Sequence, residues 1–173
     1  YGTRKEKRAN QGFVRRRRIS NYGLQLREKQ KAKFLYGILE KQFRNYYEKA
    51  LDMDGVTGDN LMVLLEKRLD NVLYRSGMFL SRKQSRQAVN HGHFTVNGTK
   101  VNIPSFQVKP SDRIAVREKS KNQLRIKDAL NVAEQLGFPE WVDVNSKNME
   151  GVFKSIPDRS ELPSEINEQL VVE

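Results

Sequence analysis

Apolar residues recur at helical spacing through the first third of the chain. Leu24, Phe34, Leu35, Ile38, Leu39, Phe43 and Tyr47 stand between polar positions. Their spacing predicts helices over about 24–36 and 40–51, with Gly37 a weak spot between them. The turn-rich stretch Asp52-Met53-Asp54-Gly55-Val56-Thr57-Gly58-Asp59 ends the second helix. It reads as a plain loop, not a calcium loop. Gly55 follows Asp54 directly, too early for the calcium-binding spacing, and no closing Glu follows.

A third apolar stripe, Leu61, Leu64, Leu65, Leu69, Val72 and Leu73, predicts a helix capped by Asp59 or Asn60 and stopped by Gly77. Ser81 stands where an N-cap belongs, ahead of a helix over 82–90 that Gly92 ends. Phe94-Thr95-Val96 and Lys100-Val101-Asn102-Ile103 flank Asn97-Gly98, a strong hairpin signal. A further strand is expected over 113–117, and Lys119 to Arg125 reads as polar linker or strand continuation. Together these make an α+β module of about 60 residues, with helices on a small antiparallel sheet. Ile126, Leu130, Val132, Ala133 and Leu136 predict another helix, closed by Gly137. Trp141, Val142, Val144, Val152, Phe153 and Ile156 read as extended or irregular pieces. A last helix is expected near Pro163, with Ser164 as its cap.

Charge changes the picture. Residues 1–33 carry net +10, residues 34–127 net +8 and residues 128–173 net −7, within a chain of +11. A basic body with an acidic end suits a polyanion on one face and a different partner on the other. Residues 1–20 hold Arg15, Arg16, Arg17 and Arg18 and little apolar content, so they read as an arm ordered by its partner. The acidic residues Glu161, Glu165 and Glu168 mark the expected protein-facing end. There is no Cys, which excludes disulfide and thiolate chemistry within this sequence. No apolar run approaches membrane-spanning length and no signal-peptide core is present, so an intracellular, soluble protein is expected. A first residue of Tyr1 suggests that the sequence begins partway into a longer chain.

The candidate chemistry lies on the helix over 82–90. Arg82, Arg86 and Asn90 are spaced i, i+4, i+8, and Lys83, Gln87 and Asn90 follow i, i+4, i+7, making one broad face of donors. Arg offers a planar fork for phosphates, and Gln and Asn can bond sugars or base edges. Lys29, Lys31, Lys33 and Arg44 extend the basic surface upstream. His91 and His93 flank Gly92; they suit a helix C-terminus, a stacked base or a phosphate better than a metal, for no Cys or nearby carboxylate completes a ligand set. Arg68, Asp70 and Arg75 admit two readings: Asp70 orients Arg75 or Arg82 in an ion pair, or the arginines touch RNA directly. No nucleophile–base pair, no carboxylate pair in a plausible cleft and no phosphate-cradling Gly loop is visible. An RNA-modifying enzyme would need a further catalytic domain. A free-standing regulator or DNA binder stays open.

The run R-L-D-N-V-L-Y-R-S-G followed by S-R-K-Q-S-R-Q-A-V-N-H-G-H-F-T-V-N-G resembles the RNA-binding domain named after the fourth protein of the bacterial small ribosomal subunit. Y-G-L-Q-L-R-E-K-Q-K at 22–31, V-R-E-K-S-K-N at 116–122 and I-P-D-R-S-E-L-P-S-E-I-N-E-Q-L-V-V-E at 156–173 extend the likeness over nearly the whole chain. The resemblance implies an α+β fold in which a split all-helical domain, 21–63 with 123–173, carries the module 64–122 as an insertion. It also implies a ribosomal protein that binds small-subunit ribosomal RNA at a multi-helix junction in the 5′ domain and nucleates assembly of the body. Family members line the path of incoming messenger RNA and touch the fifth small-subunit protein, an interface that affects decoding accuracy. Some repress translation of their own operon. RNA contact would carry over to Arg68, Ser81, Arg82, Lys83, Arg86, Gln87, Asn90 and His91. No cofactor is expected; zinc would belong only to an N-terminal segment outside this sequence. The expected place is the cytoplasmic ribosome.

Overall fold

The computed structural model describes residues 20–157. Arg15 to Arg18, the acidic Glu161, Glu165 and Glu168 and the expected helix near Pro163 lie outside the described residues. Helix α1 (Asn21–Tyr36) starts on Ser20, whose Oγ accepts the Gly23 N–H at 3.2 Å. It ends on Gly37, held at φ +66°. Helix α2 (Glu40–Asp52) buries Phe43, Tyr46 and Ala50 and packs on helix α3 (Thr57–Glu66). No side chain caps α3. The Asn60 amide instead donates to the Asp54 carbonyl at 3.1 Å and ties down the preceding loop.

The third apolar stripe proves to be two helices. The chain breaks at Lys67 and Arg68, where Arg68 is extended, and resumes as α4 (Leu69–Arg75). A distant strip fills the break. The N–H groups of Leu69 and Asp70 donate to the carbonyls of Phe106 and Pro104 at 2.9 and 3.2 Å, and Val108 N–H donates to the Lys67 carbonyl at 2.8 Å. Orphaned amides at a helix start need such partners. Gly77 then turns the chain at φ +79°, and a Cβ there would stand 2.3 Å from that of Ala133. Only glycine allows this approach.

Helix α5 (Arg82–Asn90) leads into β1 (Phe94–Val96) and β2 (Thr99–Lys100), joined through Asn97 and Gly98, both at positive φ. Strand β3 (Arg113–Val116) follows, then a short 3-10 turn over Glu118–Ser120 in place of the linker or strand continuation. Helix α6 (Leu124–Leu136) ends at Gly137. Strands β4 (Val142–Asn145) and β5 (Glu150–Phe153) complete an antiparallel sheet of order β2-β1-β3-β5-β4.

The sheet crosses the expected domain boundary. Ile114 of β3 faces Gly151 of β5, so residues 142–153 continue the module's sheet. The extended apolar pieces at 141–156 supply the strands; β5 bonds to the second edge of β3, and β4 to the outer edge of β5. Phe94, Ile114 and Phe153 from the sheet share one core with Tyr36, Leu65, Leu73, Ile126 and Leu130 from the helices. Burying each such side chain contributes roughly 1.5–3 kcal/mol.

Candidate nucleic-acid interface

Helix α5 has three kinds of face. Ser81 caps it, accepting the Gln84 N–H at 3.2 Å. Ser85, Ala88 and Val89 are buried, so the helix lies tight on its neighbours. Lys83, Gln87, Asn90 and the following His91 are exposed, and among the described residues none of the four is engaged in an ion pair. Arg82 and Arg86 turn the other way, towards α1 and α4.

Arg82 is enclosed. Its guanidinium lies 4.8 Å from the ring centroid of Tyr36 and 4.5 Å from that of Tyr74. It donates to Asn71 Oδ1 at 2.8 Å and to the Leu35 carbonyl at 3.1 Å. Burial, together with the charge of Arg75, pushes its pKa down from the ordinary arginine value. Glu66 is the anion of this cluster. It accepts from the Tyr36 hydroxyl at 2.5 Å, from Asn71 Nδ2 at 2.6 Å and from Arg75 at 3.0 Å. Burial and the Glu66 carboxylate push the Tyr36 phenol well above its usual range, so it stays a donor.

A second buried centre adjoins the first. Both oxygens of Asp70 accept from Arg68 at 3.1 Å, a bidentate pair with both side chains inside the protein. Arg68 also donates to the Tyr46 hydroxyl at 3.3 Å. Burial works against the charge of Arg68, but Asp70 outweighs it and its pKa rises. Arg86 reaches Asp70 at 3.3 Å and donates to the Tyr36 carbonyl at 3.0 Å. A Cβ on Gly37 would meet that guanidinium at 2.6 Å, a second reason for glycine there.

The expected contact set therefore divides. Arg68 is buried with its guanidinium on Asp70; Arg75 and Arg82 are partly buried, held by Glu66 and two tyrosines. Asp70 pairs with Arg68 and Arg86, not with Arg75 or Arg82. Ser81 serves the helix end. Upstream, the ammonium groups of Lys29 and Lys33 both bind Glu40 and hold its carboxyl down to about 2, while Lys31 meets Glu28 at 3.1 Å. Arg44 is exposed on α2.

Past the end of α5, His91 is exposed, and His93 Nδ1 lies 2.7 Å from Ser120 Oγ. Burial, then the charges of His91, Arg125 and Arg117, push the His93 pKa below its usual value. Arg117 donates to the Gly92 carbonyl at 3.1 Å, and Lys100 lies against Gly92. These basic neighbours of the histidines went unseen in the sequence, as did Glu66, Tyr36 and Tyr74. The spacing of their segments gives no sign of meeting. A Glu lodged between apolar residues in L-L-E-K-R-L was the one local hint at Glu66.

A profile described as "Ribosomal protein S4/S9 N-terminal domain" matches residues 2–66, and one described as "S4 domain" matches residues 67–114. "Small ribosomal subunit protein uS4" of Thioalkalivibrio sulfidiphilus is 62% identical over 168 residues, 97% of this chain and 82% of that protein. The chain belongs to the uS4 family. The proteins of the same name from Saccharophagus degradans and Chlorobium limicola are 61% and 57% identical, over 92% and 94% of this chain and 77% and 80% of their own.

The uS4 family consists of structural, ribosomal RNA-binding proteins of the small subunit. Membership places the chain in a family that is structural rather than catalytic. The S4 domain match begins at the helix break before Arg68 and stops inside β3. In this uS4 chain, β4 and β5 lie beyond that match, yet they join its sheet through β3. Among the described residues no helix is long and apolar enough to cross a membrane.

Proposed function

We propose that this chain binds the small-subunit ribosomal RNA through the exposed side of α5 and the basic surface at its end, and organises that RNA during assembly of the subunit body. One observation carries the reading. Lys83, Gln87 and Asn90, with His91 just after them, form a row of accessible donors on a helix whose two arginines, Arg82 and Arg86, are anchored to neighbouring helices. A row held this rigidly meets a folded RNA at little further entropic cost. Lys83 and Arg44 act on phosphates, Gln87 and Asn90 on sugars or base edges, and His91 on either. Arg68, Arg75, Arg82 and Arg86 position them. His93 and Ser120 hold the end of α5 against the loop that carries Arg117.

The chemistry requires no cofactor, no metal and no catalytic group. The resemblance extends the proposal to neighbours: the fifth small-subunit protein, messenger RNA on its way into the subunit, and through them decoding accuracy and repression of the protein's own operon. The direct test is binding to a small-subunit ribosomal RNA 5′-domain transcript across a salt series, with an equal-length duplex DNA as competitor. RNA-selective binding with a steep salt dependence is expected. Equal binding to both would reduce α5 to a generic polyanion surface.

A further inference from the structure

Where the last turn of α1, the linker at Leu39 and the first turn of α5 meet, an open groove encloses about 690 Å³. Three large apolar side chains stand out along it: Phe34 is 89% exposed, Leu39 78% and Leu80 69%. Single exposed apolar residues are ordinary in soluble proteins. Three on one groove form a patch suited to being covered. The charged side chains lining the groove are Lys33, Arg82, Lys83 and Arg86, and among the described residues no carboxylate joins them. Glu40 neutralises Lys33, and the two arginines hold carbonyls of α1, which leaves Lys83 for a ligand. Lys83 lies in the first turn of α5, where backbone N–H groups lack helical acceptors and the dipole favours an anion.

We propose that this groove seats one unstacked nucleotide of the ribosomal RNA, its base against Phe34, Leu39 and Leu80 and its phosphate on Lys83 and the start of α5. The proposal rests on the RNA-binding reading above and adds a site to it. Splayed bases laid on aromatic faces are the usual means by which proteins read unpaired RNA. The groove lies within the size range of small-ligand sites, and Gln30 on its wall offers an amide to a base edge. An apolar floor beside Lys83, a cation with no ion pair among the described residues, matches a base with its phosphate better than an apolar side chain of a protein neighbour.

The test uses the full chain and small-subunit ribosomal RNA, reading affinity, salt dependence and base-by-base chemical protection for Phe34→Ala and Phe34→Trp. Phe34→Ala should weaken binding about 5- to 150-fold, the loss of one base–aromatic stack. The salt slope should stay unchanged, because no phosphate contact is removed. One unpaired base should lose its protection, and Phe34→Trp should restore it. An unchanged melting temperature is expected from so exposed a position and shows that the fold is intact. Wild-type affinity and protection in Phe34→Ala, with RNA selectivity retained, would overturn the groove and leave the RNA reading standing. Weaker binding without any base losing protection would also overturn it. If the unsubstituted chain fails to prefer ribosomal RNA over duplex DNA, the reading beneath the proposal has failed as well.

Discussion

Arg82 donates to the backbone carbonyl of Leu35 at 3.1 Å, across 47 positions of sequence. That bond attaches the first turn of α5 to the last turn of α1. The carbonyls at the end of a helix lack amide partners within it, and here arginines from another helix take two of them: Arg82 at Leu35 and Arg86 at Tyr36. The relative placement of two basic helices is thereby set by side chains that themselves resemble RNA ligands.

Arg82→Ala should therefore act on stability. It removes a guanidinium stacked on two rings and leaves Asn71 Oδ1 and the Leu35 carbonyl without their donor. Desolvated cation–π contacts contribute about 2 kcal/mol, and each stranded polar group costs about 1–3 kcal/mol. A loss of about 2–4 kcal/mol is expected, or roughly 5–15 °C in melting temperature for a chain of this size. Arg82→Lys should recover little, because an ammonium cannot reproduce the planar fork. A melting temperature indistinguishable from wild type would show that the sandwich contributes nothing.

Asp70→Ala should be more damaging still. The carboxylate is buried between Arg68 and Arg86, and its removal leaves Arg68 charged inside the protein. Breaking one side of a buried pair costs about 3–5 kcal/mol, a large share of a typical domain stability of about 5–15 kcal/mol. Urea unfolding should show a lower midpoint. If the midpoint held, the pair would be isoenergetic with its absence, and the break between α3 and α4 would owe its geometry to the strip at 104–108 alone.

Local signals in the sequence located α5 well. Ser81 at its start and Gly92 after its end act through the backbone within a few residues, and the structure places both as expected. The α3–α4 break was invisible because Leu65, Leu69 and Val72 keep helical spacing straight through it; what breaks the helix is the strip at 104–108, far along the chain. The joining of β5 to β3 is equally non-local. Periodicity also placed Arg82 and Lys83 in one polar row. Which of two adjacent cations turns inward depends on Tyr36, Tyr74 and Asn71, residues that come together only in the fold.

Lys83→Ala should separate binding from folding. The side chain is exposed and makes no ion pair among the described residues, so stability should change by less than about 0.5 kcal/mol. Loss of one phosphate contact should flatten the dependence of log affinity on log salt by about 0.7–0.9. The pair Arg82→Ala with Arg86→Ala should instead show its main effect in unfolding, with any loss of binding following from misplacement of α5. A salt series and a melting curve on the same samples decide it. An unchanged slope for Lys83→Ala would remove the exposed side of α5 from the phosphate contacts.

Glu40 should give the protein a small acid-sensitive increment of stability. Hydrogen bonds from Lys29 and Lys33 hold its carboxyl at about 2, against 4.5 for an unconstrained glutamate. A carboxylate with a lowered folded-state pKa stabilises fully above the unfolded value, and the contribution is lost as pH falls through the folded one. Wild type should thus exceed Glu40→Gln at neutral pH, and the gap should narrow from about pH 4.5 and close near pH 2. The group is substantially exposed, so water and salt screen it and the full gap should be under about 1 kcal/mol. Urea midpoints of both proteins at low salt, taken from neutral pH downward, measure it. A gap that stays constant through the acid range would mean that the two lysines stabilise α1 and α2 independently of Glu40's charge.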